Sequence, residues 1–288
     1  MEKIGYIGLG IMGNPMVENL TKAGHKVNVF ARRQASVNAL ETDNIEAFSN
    51  PAELAKASTI TISCVSDTPD VEEVLTGSDG VIQGVQPGSL VIDMSTISPE
   101  ATRSMSAQFS QAGASMLDAP VSGGEVGAIA GTLSIMVGGE EKDFERALPI
   151  FECLGKNIVH VGASGAGQVA KACNQILVAQ TMTAVAEAYL LAQSADVDPA
   201  KVREALLGGF AYSKILEFHG QRMLDKNYQP GFKAELHAKD LHIALESALA
   251  HNINIPGAKL SDDYMQRLVA QGDGELDSAA IAKIVGSG

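Results

Sequence analysis

A glycine-rich run near the start of the chain has the spacing that suits phosphate binding. The run consists of Gly8, Leu9, Gly10, Ile11, Met12 and Gly13, a G-x-G-x-x-G pattern. A strand pattern over residues 3–7 precedes it, and a helical pattern over 14–23 and a second strand over 26–30 follow. In that context the first glycine permits a tight turn, the second lets the backbone approach a pyrophosphate, and the third allows close helix–strand packing. The pattern favours a dinucleotide site over an ordinary loop.

The end of the second predicted strand indicates which dinucleotide is bound. An acid that holds the ribose 2′-OH of NAD usually lies about twenty residues past the glycines. Arg32 and Arg33 occupy that region here, and the next acid along the chain is Glu41. Because guanidinium groups are permanently charged and suit a 2′-phosphate, we expect the chain to prefer NADP(H), with NAD(H) possible. The alternative is a solvated arginine pair that opens the next helix.

A lysine and two amides share one turn of a predicted helix that is otherwise apolar. Lys171, Asn174 and Gln175 have the spacing that places their side chains on neighbouring helix faces. Burial can lower the pKa of a lysine into the range that general acid–base catalysis uses. We therefore expect a catalytic role. The alternative is a lysine near the helix start whose ammonium extends to the surface.

Two further groups of residues admit both a functional and a structural interpretation. Ser122, Gly123 and Gly124 follow a predicted strand over 114–117, where a hydroxyl and backbone N–H groups can hold a carboxylate; a plain turn explains them equally well. Lys239 and Asp240 lie in an amphipathic helical pattern that follows Phe232. On spacing alone, a solvated helix face explains this second group better than a site does.

Composition limits the classes of partner. The chain has 288 residues, 45% of them hydrophobic, and a net charge of −13 from 21 Lys+Arg and 34 Asp+Glu. That acidic balance argues against nucleic acid or an anionic membrane as a partner. Neither the three cysteines nor the histidines have metal-ligand spacing, so we expect no metal site. The cysteines lie in apolar segments, and we expect them to be buried free thiols in a reducing compartment, which fits a cytoplasmic location. The apolar segment 169–192 contains polar residues and is expected to be a buried helix rather than a membrane span.

The order of predicted elements indicates two domains. Residues 1–162 alternate short apolar strands with helical patterns, which is typical of an α/β fold with a mostly parallel, doubly wound sheet. Residues 163–288 begin with a long linker helix over 168–195 and continue with helical patterns only. We expect a nucleotide-binding domain over 1–162 and an all-α domain over 163–288.

Four segments in order resemble the motifs of the β-hydroxyacid dehydrogenase family, which includes 3-hydroxyisobutyrate dehydrogenases. They are residues 8–16, 118–124, 165–174 and 239–240. The resemblance implies a Rossmann-like domain followed by a helical domain, and a homodimer or homotetramer. It implies hydride transfer from NAD(P)H to a small carboxylated semialdehyde. Residues 208–223 and the pair Asn174-Gln175 resemble the branch of the family that reduces tartronate semialdehyde to D-glycerate.

The same resemblance implies a role for each matching residue. Ser122, Gly123 and Gly124 would hold the substrate carboxylate. Lys171 would protonate the nascent alkoxide, with help from Asn174 or Gln175. The remaining implied roles are lining of the nicotinamide site by Val65 and Thr96, cofactor contact by Lys239, substrate binding by Asp240 and closure of the pocket by Phe232. The alternatives are a sibling enzyme that acts on 3-hydroxyisobutyrate, succinic semialdehyde or glyoxylate, and a non-catalytic NADP-binding module.

Overall fold

A computed structural model describes residues 2–38, 40 and 44–286; Glu41 lies outside the described residues. The chain divides into two compact units, Met1–Lys171 and Ala172–Gly288. The division falls inside a helix, so the domain boundary predicted between residues 162 and 163 stays a prediction.

The described residues of the first unit form one nine-stranded sheet. Its strands are β1 (Ile4–Ile7), β2 (Val27–Phe30), β3 (Ile45–Ala47), β4 (Ile60–Ser63), β5 (Leu90–Asp93), β6 (Ser115–Asp118), β7 (Val121–Ser122), β8 (Leu133–Gly138) and β9 (Gly155–Gly162). The order is β3-β2-β1-β4-β5-β6-β8-β7, and β9 pairs with β8. All neighbours are parallel except that β8 runs antiparallel to β6 and β7. The predicted mostly parallel sheet is therefore confirmed.

Helices accompany these strands along the chain. They are α1 (Gly13–Lys22), α2 (Gln34–Asn38), α3 (Pro51–Lys56), α4 (Thr68–Thr76), α5 (Pro99–Gln111), α6 (Gly124–Ala130), α7 (Glu141–Leu154) and the first turns of α8 (Ala166–Ser194). Along β5, Leu90 and Ile92 belong to one apolar cluster and Val91 to another. Both faces of the sheet are thus covered, as parallel sheets require.

Local signals explain where several helices begin. Ser98 precedes Pro99 at the start of α5, and its hydroxyl accepts a hydrogen bond from the Ala101 N–H at 3.3 Å. Asn50 caps α3 in the same way, with Pro51 as the first helical residue. A polar side chain at the cap accepts a hydrogen bond from a backbone N–H that has no partner within the helix. Proline suits the first helical position because a backbone N–H at that position would have no partner within the helix.

Several short elements were not predicted, among them β3, α3, β7 and α6. The sequence of α6, GEVGAIA, contains two glycines and has low helix propensity. Tertiary contacts hold it, since Ala128 is buried and its carbonyl accepts a hydrogen bond from the Asn19 side chain at 2.7 Å. Helix propensity is a weak guide where such contacts decide the conformation.

The second unit is helical. It contains the rest of α8, then α9 (Pro199–Leu207), α10 (Lys214–Asp225), α11 (Ala234–Ala250) and α12 (Pro256–Leu268), followed by short helical turns at Val269–Asp273 and Ser278–Lys283. One apolar cluster unites these elements; it includes Met182 and Tyr189 from α8 and Leu241 from α11. The predicted helical second half of the chain is confirmed.

The long helix α8 was predicted to be a buried helix rather than a membrane span. By length and composition alone it could cross a membrane, and 44% of an apolar stretch of 18 residues within it is buried inside the protein. Cys173 on this helix is exposed, whereas Cys64 and Cys153 are partly buried, and none of these three described residues forms a disulfide. The expectation of three buried thiols was therefore wrong, because the helix turns Cys173 outward while Lys171 and Gln175 are buried.

Candidate active site

A groove of about 360 Å³ runs beside the glycine-rich loop in the first unit. Six predicted cofactor residues line it: Gly8, Leu9, Gly10, Arg32, Arg33 and Val65. The other predicted cofactor residues of the first unit, Ile11, Met12, Gly13 and Thr96, lie outside its lining, and the remaining one, Lys239, belongs to the second unit. The structure therefore brings the turn after β1 and the two arginines after β2 to one surface.

Backbone geometry accounts for the two glycines that shape this groove. Gly8 has φ +102°, and a Cβ there would lie 2.2 Å from the Cys64 carbonyl oxygen, so a larger residue is excluded by both strain and contact. A Cβ on Gly10 would meet no atom within 4 Å. No atom of the described residues thus requires a glycine at position 10, and the open space there fits a phosphate approaching the backbone at the start of α1.

The two arginines differ in their surroundings. The Arg32 guanidinium lies 3.0 Å from an Asp70 carboxylate oxygen and 3.9 Å from Glu73, both on α4. This pairing orients Arg32 over the groove, yet 61% of its side chain remains exposed. Arg33 is also exposed. Both cations are thus accessible to an anionic group on a bound nucleotide.

Two buried carboxylates stand side by side where β5 and β6 end. Asp93 and Asp118 are register partners, and they are 0% and 1% exposed. Burial raises the pKa of Asp93 to about 6, although hydrogen bonds from Ser95 and Ser63 oppose the shift. Burial also raises the pKa of Asp118, again against hydrogen bonds from backbone N–H groups. Asp93 was not among the predicted site residues, although its position at the carboxyl end of a strand is where ligands bind in a doubly wound sheet.

The Asp118 carboxylate lies at the start of α8, the helix that carries Lys171. Its two oxygens accept hydrogen bonds from the N–H groups of Gly165 at 2.7 Å and Gln168 at 2.9 Å. A carboxylate at a helix N-terminus satisfies open N–H groups and complements the helix dipole. Lys171 follows one turn later and is 7% exposed.

The predicted carboxylate-binding residues lie just after Asp118. Ser122 ends β7 and is partly buried, and Gly123 and Gly124 are exposed at the start of α6. Both glycines have positive φ, 141° and 61°. Their conformation turns the chain sharply between strand and helix and leaves this backbone accessible, which suits the proposed contact with an anion.

A chain of polar side chains connects α8 and α11 in the second unit. The Asn174 amide donates to the Gln175 side-chain oxygen at 2.7 Å, and the Gln175 amide donates to Asp240 at 2.6 Å. The Lys239 ammonium lies 3.1 Å from the other Asp240 oxygen. Asp240 and Gln175 are buried, at 2% and 3% exposure. The structure thus brings four predicted site residues together, although spacing alone had favoured a solvated face for Lys239 and Asp240.

Two further residues of the second unit support this chain. His237 is fully buried, and its Nε2 lies 3.4 Å from the Gln175 carbonyl oxygen. The ring of Phe232 lies 5.6 Å from the His237 ring, centroid to centroid. His237 was not among the predicted site residues, because a lone histidine in a helical pattern carries no motif. The backbone that carries Phe232 is held in turn by Asp277, which accepts hydrogen bonds from the N–H groups of Gly231 and Phe232.

Asp277 shows how donors overcome burial. Burial alone would raise its pKa, but hydrogen bonds from His219 and from the backbone N–H groups of Ala279, Gly231 and Phe232 hold the pKa at about 2. The ionised carboxylate therefore fixes the segment that carries Phe232 at neutral pH.

No group of three metal-ligating side chains occurs among residues 2–38, 40 and 44–286. The residues present fit a nucleotide instead, with accessible glycine backbone and two arginines beside it. Residues 3–162 match the NAD binding domain of 6-phosphogluconate dehydrogenase, and residues 165–285 match the NAD-binding domain of NADP-dependent 3-hydroxyisobutyrate dehydrogenase. The fold and these matches define an NAD(P)-binding oxidoreductase that acts on CH–OH groups.

The chain belongs to the β-hydroxyacid dehydrogenase family, as its motifs had indicated. It is 47% identical to 2-hydroxy-3-oxopropionate reductase of Escherichia coli, over 98% of this chain and 96% of that enzyme. It is 37% identical to an NAD-dependent L-serine dehydrogenase of Pseudomonas aeruginosa, over 99% and 98%. The solved structure of Mycobacterium tuberculosis 3-hydroxyisobutyrate dehydrogenase with L-serine is 30% identical, with a TM-score of 0.92 and full coverage of both chains.

Proposed function

We propose that this chain catalyses the NADPH-dependent reduction of a small carboxylated semialdehyde, and that its substrate is 2-hydroxy-3-oxopropionate (tartronate semialdehyde), reduced to D-glycerate. The observation that carries the proposal is the near full-length similarity to the Escherichia coli reductase named for that substrate. Lys171, buried on its helix, supports catalysis rather than nucleotide binding alone.

The residues of the groove account for cofactor binding. Backbone N–H groups of the glycine loop hold the pyrophosphate, and Arg32 and Arg33 bind the 2′-phosphate that distinguishes NADP from NAD. Val65 and Thr96 lie against the nicotinamide, and Lys239 contacts the cofactor. When bound, NADPH supplies the hydride.

Lys171 supplies the proton. Reduction of an aldehyde leaves an alkoxide, which requires a proton in or near the transition state. Asn174 and Gln175 do not ionise, so neither can donate a mobile proton. Gln175 is buried and already donates to Asp240. Asn174 is partly exposed, so we assign the substrate contact to Asn174.

The substrate carboxylate binds to Ser122 and to the backbone of Gly123 and Gly124, and Phe232 closes the pocket. Asp240 was expected to bind substrate. Its oxygens already engage Gln175 and Lys239, and a carboxylate repels an anionic substrate. We therefore assign Asp240 to the orientation of those two neighbours.

Isotope transfer tests the reaction directly. The protein is incubated with tartronate semialdehyde and NADPH that carries deuterium in the transferable position, and the product is analysed by NMR and mass spectrometry. We expect glycerate with one deuterium on C3, the former aldehyde carbon. Lys171→Ala serves as the control for adventitious reduction. Unlabelled glycerate, or no glycerate at a rate above the control, would contradict the proposal.

The relatives that act on or bind L-serine favour a second candidate. A β-hydroxyacid such as L-serine carries the same carboxylate and an oxidisable hydroxyl, so the same residues could oxidise it. Oxidation would use Lys171 as a base instead of an acid. A comparison of kcat/KM for reduction of tartronate semialdehyde and for oxidation of L-serine separates the two candidates.

We further propose a cytoplasmic homodimer or homotetramer. Large apolar side chains are exposed on the second unit, which is typical of surfaces that associate. They include Leu177, Leu191, Phe210, Phe218 and Leu249. Light scattering coupled to size-exclusion chromatography tests the assembly, and a monomer at micromolar concentration would contradict it.

A further inference from the structure

A buried hydrogen-bond network joins the ends of β4 and β5. One Asp93 oxygen accepts hydrogen bonds from the hydroxyls of Ser63 at 2.8 Å and Ser95 at 2.7 Å, and from the Ser95 N–H at 3.2 Å. The Ser95 hydroxyl in turn accepts a hydrogen bond from the Val65 N–H at 3.0 Å. Ser95 is 2% exposed. Ser95 thus holds in place the backbone of Val65, a residue that lines the groove.

The side chain of Gln168 continues the network to the next loop. Its amide donates to the Ser95 carbonyl at 2.9 Å, and its oxygen accepts from the Ile97 N–H at 3.1 Å. These two bonds flank Thr96 on both sides. Gln168 is 1% exposed, so neither bond competes with water.

The backbone of Gln168 is tied to the helix start that precedes Lys171. Its N–H donates to Asp118, as described above. The same residue therefore connects the Thr96 loop, through its side chain, with the first turn of α8, through its backbone. All of these groups lie at the carboxyl ends of the strands, the edge where ligands bind in a doubly wound sheet.

We propose that Ser95, with Asp93 and Gln168, is a positioning residue for the nicotinamide half of the cofactor. These three residues, which we call the Ser95 brace, fix Val65 and Thr96 relative to the start of the helix that carries Lys171. The adenosine half binds elsewhere in the groove, at the arginines, and does not depend on the brace. The inference rests on the proposed binding of NADPH.

The test compares two ligands on two matched variants. Isothermal titration calorimetry measures the Kd of NADPH and of adenosine 2′,5′-bisphosphate, which lacks the nicotinamide. Ser95→Ala removes the brace hydroxyl. Ser58→Ala is the control, because Ser58 is 5% exposed in the same unit and its hydroxyl also makes two hydrogen bonds, to the Leu54 carbonyl and with the Asn28 amide.

We expect Ser95→Ala to weaken NADPH binding about fivefold, the effect of about one hydrogen bond's net free energy, with adenosine 2′,5′-bisphosphate changed less than about twofold. Ser58→Ala should change neither Kd, even if it lowers the Tm as much. Gln168→Met provides a second variant of similar side-chain volume and should show the same selective loss if Ser95→Ala does not fold. Equal weakening of both ligands, or of neither, in these variants would overturn the proposal.

The outcome is distinguishable from failure of the proposed function. A parent protein that binds NADH more tightly than NADPH overturns the NADP preference alone, and the comparison is then made with NADH and ADP. A parent that binds the cofactor but transfers no hydride overturns the reductase proposal. In both cases the role of Ser95 is still decided by one comparison: how much Ser95→Ala raises the Kd of the cofactor, and how much it raises the Kd of the nucleotide that lacks the nicotinamide.

Discussion

The groove beside the glycine loop and the polar chain between α8 and α11 are built in different ways. The groove depends on backbone conformation, with Gly8 at positive φ and Gly10 beside open space, and on exposed arginines. The polar chain depends on buried side chains that satisfy one another, with Asp240 between Gln175 and Lys239. The first region is suited to binding a polyanion and the second to holding charged and polar groups in fixed positions.

This difference predicts separable effects of mutation. Changes in the groove should alter cofactor binding and leave the chemical step intact. Changes at Lys171, Asn174 and Gln175 should alter the chemical step and leave cofactor binding intact. A residue whose substitution impairs cofactor binding and the chemical step equally would show that the two regions are not independent.

Substitution of Lys171 should have the largest effect. Lys171→Ala removes the proposed proton donor for the alkoxide, so kcat should fall by about 10²–10⁴, while the NADPH Kd measured by fluorescence stays near that of the parent. Steady-state kinetics with a deuteride isotope effect shows whether hydride transfer limits the rate.

Lys171→Arg is the matched variant for this prediction. It keeps the positive charge but should restore little activity, because a guanidinium does not release its proton in this pH range. If Lys171→Ala retains most of its kcat with hydride transfer rate-limiting, Lys171 is not the proton donor, and Lys239 becomes the residue to test.

Gly10→Ala should show the opposite pattern. The added methyl meets no protein atom within 4 Å, so the Tm should remain near that of the parent. The methyl occupies space that the pyrophosphate needs, so NADPH should bind about 10- to 100-fold more weakly, in line with the free-energy cost of overpacking. Gly209→Ala, whose methyl also lies in open surroundings at 3.9 Å from the nearest atom, should leave the Kd unchanged. Normal NADPH affinity in Gly10→Ala would place the pyrophosphate elsewhere.

Charge reversal at Arg32 should change the choice of cofactor. Arg32→Asp removes the proposed charged hydrogen bond to the 2′-phosphate and leaves an acid that can hold a ribose hydroxyl. The kcat/KM with NADPH should fall about tenfold relative to that with NADH. Lys22→Asp also reverses an exposed cation that pairs with an acid, and it should not change this ratio. A ratio unaffected by Arg32→Asp would assign the 2′-phosphate to Arg33.

Asp93 should make stability depend on pH in a predictable direction. Its pKa is about 6 in the folded protein against 3.8 for the free group, so the folded state disfavours the ionised form. The resulting destabilisation is absent at a pH well below 3.8, the pKa of the free group. It grows as the pH rises from 3.8 to about 6 and is complete above the folded-state pKa of about 6. Relative to the parent, Asp93→Asn should therefore gain about 2 kcal/mol of unfolding free energy between about pH 4.5 and about pH 7.5. Urea unfolding at both pH values measures this gain. A constant difference between parent and variant would show that Asp93 does not titrate as described.

Sequence was most informative where backbone geometry and motif coincide. The glycine spacing predicted the turn after β1, and the alternation of apolar segments predicted the mostly parallel sheet, because both depend on local conformation and periodicity. The alignment of Lys171 and Gln175 on one helix followed from the same periodicity. The short elements β3 and α6 escaped prediction, since tertiary contacts hold them against weak local preference.

Buried polar contacts were the other gap. The Ser95 brace joins residues about thirty and seventy positions apart, as in the contacts of Ser95 with Val65 and with Gln168. No spacing rule brings such residues together. The contacts of Asp240 with both Lys239 and Gln175 likewise form only when α11 packs against α8, which turns a pattern typical of a solvated face into a buried cluster.

The central claim is that this chain reduces a small carboxylated semialdehyde with NADPH. The most direct test measures kcat/KM for reduction of tartronate semialdehyde, succinic semialdehyde, methylmalonate semialdehyde and glyoxylate, and for oxidation of 3-hydroxyisobutyrate and L-serine, each with both cofactor pairs. The account predicts the highest value for tartronate semialdehyde with NADPH. A higher value for any other substrate would contradict the proposed substrate, equal or better use of NADH would contradict the proposed cofactor preference, and activity on none of them would contradict the proposed reaction.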